Sequence, residues 1–160
     1  MTPVERLAGL LREREWKLAT AESCTGGMIS AACTDLAGSS DWFERGFVTY
    51  SNDAKSEMLG VDASLIDAHG AVSEVVARAM AFGAVRHSKA QVSVAVTGIA
   101  GPAGGSSEKP VGTVWFAFMV DGLLSSETRR CDGDRAAVRR ATVQHAIEGL
   151  IERVARMPAT

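Results

Sequence analysis

Apolar positions at helical spacing alternate along this chain with short apolar or branched runs, and the alternation outlines an α/β protein. Val4, Leu7, Leu10 and Leu11 mark a first helix. Its start is written in Thr2-Pro3-Val4-Glu5: a threonine suited to the N-cap, a proline at the first helical position and a glutamate three residues after the cap. Trp16 to Thr20 reads as a strand, Ala21 to Gly27 as a tight turn, and Met28 to Leu36 as a second helix broken by Gly38-Ser39-Ser40. Gly46 to Tyr50 reads as a second strand. A polar turn follows it, where Asn52 or Asp53 can cap a short helix from Ala54 to Leu59.

Asp62 to His69 predicts one or two further helical turns closed by Gly70. Ser73 is the expected cap of a longer helix reaching about His87, with Val76, Met80 and Ala84 on one face. Val92 to Thr97 predicts a buried strand. A glycine-rich loop, Gly98 to Pro110, separates it from two runs, Gly112–Asp121 and Leu123–Cys131, that read as an antiparallel hairpin turning at Asp121-Gly122. The last helix runs from Arg135 to about Arg156 and buries Val138, Val143, Ile147, Leu150, Ile151 and Val154. Early helix–strand alternation followed by a late hairpin predicts a three-layer α/β/α domain with a mixed, mostly parallel sheet. No composition shift divides the 160 residues, so one domain over 1–160 is expected.

Composition narrows the function classes. A net charge of −2 gives no electrostatic reason to expect a nucleic-acid partner. No apolar run reaches membrane-spanning length, so no membrane partner is expected. Three cysteines without a CxxC pair argue against a disulfide framework. With no secretory pattern at Met1 to Arg6, they point to a reduced, cytoplasmic setting. No His, Cys, Asp or Glu cluster has metal-ligand spacing, so neither metal nor cofactor is expected.

Three polar clusters fall at predicted strand ends: Glu22-Ser23-Cys24-Thr25-Gly26, Thr49 to Lys55, and Thr97-Gly98 running on to Gly101, Gly105 and Ser106. In a mostly parallel sheet these ends share one edge, where α/β proteins bind ligands. A hydroxyl at Ser23 lies beside backbone N–H groups able to hold an oxyanion, although such a turn also serves as a plain helix cap. Serine needs a base. His69, His87 and His145 all fall in or at helices, away from the clusters, which disfavours a histidine triad. Lys55 is the other base. It lies in the first turn of a helix, five residues after Tyr50, the only tyrosine. The alternatives are a surface lysine and a strand-end aromatic. Cys24 is a competing nucleophile or a small buried thiol. The basic residues Arg129, Arg130, Arg135, Arg139 and Arg140 form either a solvated face or a site for a phosphorylated ligand.

Three motifs together carry a resemblance: Ala21-Glu22-Ser23-Cys24-Thr25-Gly26-Gly27; Gly46-Phe47-Val48-Thr49-Tyr50-Ser51-Asn52 with Lys55; and Gly98-Ile99-Ala100-Gly101-Pro102 with Gly104-Gly105-Ser106 and Lys109 to Val114. The chain resembles the CinA C-terminal domain family from about Val4 to Val154. The domain similar to molybdopterin-binding proteins that longer members carry at their N-terminus lies outside the resemblance, and activities tied to it are not carried over. The resemblance implies hydrolysis of the carboxamide of nicotinamide mononucleotide to nicotinate mononucleotide and ammonia, without a metal, in a homo-oligomer. It places the catalytic serine, tyrosine and lysine on Ser23, Tyr50 and Lys55. The candidates for holding substrate are Glu22, Thr25, Gly26, Asn52, Thr97, Gly98, Gly101, Gly105 and Ser106, with Arg139 or Arg140 adding charge near the phosphate. A nucleotide-binding sensor or partner module without hydrolysis is the alternative.

Overall fold

The structure, a computed structural model, describes residues 1–159. Its elements are α1 (Pro3–Arg14), β1 (Leu18–Glu22), α2 (Met28–Thr34), β2 (Phe43–Val48), α3 (Asn52–Leu59), α4 (Ala63–His69), α5 (Glu74–Arg86), β3 (Val92–Gly98), β4 (Thr113–Val120), β5 (Leu123–Arg130) and α6 (Arg135–Arg156). A single 3-10 turn, Ser39–Asp41, lies between α2 and β2.

The strand order is β2-β1-β3-β4-β5. β1 pairs in parallel with β2 and β3, whereas β4 runs antiparallel to both β3 and β5. Four strands therefore point one way and β4 opposes them. The central strands β1 and β3 are almost wholly buried, which is why their sequences read as continuous apolar and small runs instead of alternating ones.

Two apolar layers sandwich this sheet. On one face Val92, Val94, Val96, Val114, Phe116 and Phe118 pack with Leu7 and Leu11 of α1, Ile29 of α2, and Val138 and Leu150 of α6. On the other, Ala19, Ala21, Ala95 and Ala117 meet Val76, Ala77, Met80 and Ala84 of α5. Alanines on that sheet face let α5 approach closely. The Ser93 hydroxyl uses the proximity to donate to the Ala81 carbonyl at 2.7 Å. The expected three-layer architecture with its late hairpin is the one observed.

Register explains why distant polar clusters meet. Glu22 pairs with Val48 on one side and with Val96 on the other. The residues that follow, Ser23, Thr49 and Thr97, are thus set side by side along the carboxyl edge of three parallel strands.

The elements differ from the sequence reading in detail. β1 begins at Leu18, not Trp16, because Glu15 ends α1 in a left-handed conformation and the Trp16 N–H still donates to Leu11. β2 spans Phe43–Val48 instead of Gly46–Tyr50. It is an edge strand whose exposed Arg45 hides the apolar pattern at its start. The α3 cap is Ser51, whose hydroxyl accepts from the Ala54 N–H at 3.0 Å, so Asn52 and Asp53 are free of that role.

Candidate active site

The turn after β1 is built around a buried carboxylate. Glu22 is 0% exposed. One of its oxygens accepts from the Thr25 hydroxyl at 2.6 Å and the Ile29 N–H at 2.8 Å. The other accepts from the Ser30 N–H at 2.9 Å and the Ser30 hydroxyl at 2.8 Å. The N-cap of α2, Gly27, has a φ of 107° and no side chain to cap with, so Glu22 satisfies the first helical N–H groups from the end of the strand. The Ser23 N–H donates to the Val96 carbonyl, and the Gly26 N–H donates to the Ser23 carbonyl. Ser23 is thereby held between strand and turn.

α3 delivers the second group. Its first turn carries Lys55, whose side chain is 1% exposed. The Lys55 Nζ lies 3.1 Å from Ser23 Oγ and 3.2 Å from each of the main-chain carbonyls of Thr49 and Tyr50. Burial pushes the Lys55 pKa down from 10.5, against a smaller opposing influence of Cys24. In the neutral amine, the two carbonyls take the two N–H bonds and the remaining lone pair is directed at Ser23 Oγ. That is the geometry of a base for a serine hydroxyl.

Ser23 and Lys55 open into a cavity of about 240 Å3. Thr97 and Gly98 form its floor at the end of β3; Tyr50 and Asn52 form one wall. The Thr97 hydroxyl is turned to the Ala71 carbonyl at 2.9 Å, which fastens the segment between α4 and α5 to the sheet edge. Gly98 is needed for closeness: a Cβ there would lie 2.7 Å from Val114 Cγ2 and 3.2 Å from Cys24 Sγ. Cys24 also borders the cavity, and burial raises its thiol pKa to about 11, opposite to an activated thiolate.

Several candidates lie elsewhere. Glu22 and Thr25 are fully buried behind the turn and bonded to each other, so they support it and do not face the cavity. Gly26 belongs to the same turn, against Arg139. Arg139 donates to the carbonyls of Cys24 and Thr25, at 3.0 and 3.2 Å. Arg140 is exposed on α6. Gly101 lies off the cavity, its carbonyl accepting from Arg135 at 2.9 Å. Ser106 and Lys109 bond to each other in a local turn, with Gly105 beside them. None of the three histidines lines the cavity.

The Tyr50 ring is 62% exposed, and its hydroxyl accepts from Arg135 at 3.4 Å. Sequence reasoning counted Arg135 only within a basic cluster. It lines the cavity and also a neighbouring groove of about 500 Å3. The available signal was its place directly after Asp134, the N-cap of a helix starting close to the loop. Ala71 and Val72, also on the cavity wall, carried no signal. Among the described residues, no group of three or more His, Cys, Asp or Glu side chains converges on a metal-sized site, and no helix is long and apolar enough to cross a membrane.

A serine hydroxyl and a buried lysine amine thus meet at the carboxyl edge of a mixed α/β/α sheet. Comparison with known proteins gives the lineage. The CinA C-terminal domain matches residues 2–154, and the chain belongs to that family. The nicotinamide-nucleotide amidohydrolase PncC of Escherichia coli strain K12 is 52% identical over 147 residues, covering 91% of this chain and 89% of that protein. The PncC of Pseudomonas putida is 52% identical over 151 residues, covering 94% of each. Among solved structures, the competence damage-inducible protein A of Klebsiella pneumoniae superposes with a TM-score of 0.94 at 36% identity, over 98% of this chain and 97% of that one.

Proposed function

We propose that this protein hydrolyses the carboxamide of nicotinamide mononucleotide to nicotinate mononucleotide and ammonia, through an acyl-enzyme on Ser23. The observation that carries the reading is the 3.1 Å contact between Ser23 Oγ and a buried Lys55 Nζ whose other two contacts are main-chain carbonyls. The names of the relatives supply the substrate class.

In this reading neutral Lys55 takes the Ser23 proton as the oxygen attacks the amide carbon. Backbone N–H groups beside Ser23 or in the loop that begins at Gly98 stabilise the resulting oxyanion. The proton then passes to the amide nitrogen, with the Tyr50 hydroxyl assisting at the cavity mouth, and ammonia leaves. Water attacks the ester, Lys55 accepts its proton, and Ser23 is restored. Lys55 stays in place because the Thr49 and Tyr50 carbonyls hold it. Asn52, Thr97 and Gly98 border the pyridine, while Arg135, at the junction with the outer groove, offers positive charge to the phosphate. One domain, a cytoplasmic setting and a homo-oligomer belong to the same proposal.

The test is ammonia release from nicotinamide mononucleotide by the purified protein in excess chelator. The expected result is turnover unaffected by the chelator. Absence of ammonia from folded protein, or a loss restored by one divalent ion, overturns the reading.

A further inference from the structure

Resting on the function proposed above, we infer that Lys109 is a positioning residue for substrate binding: its ammonium clasps the glycine-rich loop to the backbone after α4 and so holds the cavity wall formed by Ala71 and Val72. The third sequence motif thereby gains a task that neither the nucleophile nor the phosphate contact gives it.

The segment between α4 and α5 belongs to neither helix and pairs with no strand. Three of its consecutive carbonyls are gripped by side chains instead. The His69 carbonyl accepts from Lys109 Nζ at 2.7 Å, the Gly70 carbonyl from the Ser73 hydroxyl at 2.8 Å, and the Ala71 carbonyl from the Thr97 hydroxyl at 2.9 Å. Ala71 and Val72 border the cavity, so these grips set where that wall stands. Ser73 is a local cap of α5, and Thr97 itself lines the cavity. Lys109 reaches the segment from 40 residues away in sequence and is not among the cavity-lining residues.

The surroundings of Lys109 fit a clasp. Gly70 has a φ of 81°, and a Cβ there would lie 3.1 Å from Lys109 Nζ, so glycine leaves the ammonium its approach. The Lys109 N–H donates to Ser106 Oγ at 3.0 Å, and its carbonyl accepts from the Ser106 N–H at 2.8 Å. At the foot of the loop, the Ile99 N–H donates to the Thr113 carbonyl at 2.9 Å and the Gly112 N–H to the Ile99 carbonyl at 2.7 Å. Arg135 of α6 donates to the Gly101 carbonyl at 2.9 Å. The loop is thus tied to the sheet at its foot, to α6 through Arg135 and to the wall through Lys109. Arg135 and the wall both line the cavity, so one loop braces two of its lining elements. The bond from Lys109 carries a full charge, which makes it stronger than the two hydroxyl bonds beside it.

A wall released from the clasp spends part of its time away from the binding position. Affinity then falls by the fraction of molecules whose wall is in place. The contact between Ser23 and Lys55 is made by the ends of β1 and α3 and does not involve the wall, so the chemical step is untouched. Substrate and product lose affinity together, and ribose 5-phosphate, which lacks the pyridine ring, does not.

The experiment uses the full chain with Lys109→Met, which keeps a long stem without the donor, and Lys109→Arg, which keeps a cationic donor. It measures kcat and KM for nicotinamide mononucleotide, affinity for nicotinate mononucleotide and for ribose 5-phosphate, and amide hydrogen exchange of the peptide covering 69–73. In Lys109→Met, KM and the product dissociation constant are expected to rise together by about tenfold. Turnover and ribose 5-phosphate affinity stay within about threefold, and exchange over 69–73 quickens. Lys109→Arg recovers most of the affinity and of the protection.

Several results overturn the inference: Lys109→Met keeping KM within about threefold; a loss confined to kcat; ribose 5-phosphate affinity falling as far as product affinity, which puts Lys109 on the phosphate; unchanged exchange over 69–73; or failure of Lys109→Met to fold, which makes the contact a support of the fold. Failure of the proposed function looks different. In that case the unsubstituted protein releases no ammonia, or Ser23→Ala keeps releasing it, while the exchange measurement still reads the clasp.

Discussion

Replacing Glu22 by glutamine tests whether the nucleophile's turn is held from behind. The swap keeps the shape and removes the charge. Each carboxylate oxygen accepts one backbone N–H and one hydroxyl. The hydroxyls can rotate to accept from an amide nitrogen, but the backbone N–H of Ile29 or Ser30 cannot, so one buried donor is left facing another. An orphaned buried donor costs about 1–3 kcal/mol, and the surviving bonds lose their charge assistance, worth about 1 kcal/mol more. Relief of carboxylate burial offsets part of this, leaving a net loss of about 2–4 kcal/mol. For a chain of this length that lowers Tm by about 5–15 °C. Urea denaturation followed by circular dichroism measures the loss, and steady-state kinetics measures KM in the same preparations. The expected outcome is reduced stability with KM within about threefold of the parent. A variant of unchanged stability and strongly raised KM would place Glu22 on the substrate, as the sequence alone suggested, and refute this account of the turn.

Lys55→Arg keeps a cation but cannot act as a base, and turnover should fall by about 10²-fold or more in the ammonia assay. The pH profile of kcat/KM should rise on its acid side as Lys55 loses its proton, with an apparent pKa below 10.5; a profile flat through that range would remove Lys55 as the base. The same shift has a signed consequence for stability. Between the lowered folded pKa and 10.5 the unfolded chain binds more protons, so stability should climb with pH there, and Lys55→Met should lose the climb in denaturation series.

Much of this architecture was readable because local signals agreed with one another. The capping box at Thr2 and Glu5, the Ser73 cap and the span Arg135–Arg156 appear where periodicity and cap chemistry put them. The strand ends were less legible. β2 lies at the sheet edge with exposed polar positions, so Phe43 to Arg45 gave no apolar run to read. Ser23 and Lys55 were legible as candidates, but their contact depends on the register of β1 with β2 and on where α3 begins. Roles that depend on which way a side chain turns were not legible. Glu22 and Ser23 are neighbours on one strand end, and alternation sends one beneath the turn and the other into the cavity. Arg135 and Arg139 lie one helical turn apart, yet one borders the cavity and the other grips the turn.

The central claim is that Ser23, and not its neighbour Cys24 or a free water, attacks the amide. The most direct measurement is ammonia release under saturating nicotinamide mononucleotide by Ser23→Ala and Cys24→Ala, with binding of the nucleotide measured on the same samples. The account predicts that Ser23→Ala loses at least about 10³-fold in turnover while binding changes by no more than about threefold, and that Cys24→Ala keeps substantial turnover. Turnover by folded Ser23→Ala within about tenfold of the parent, or loss confined to Cys24→Ala, would contradict it.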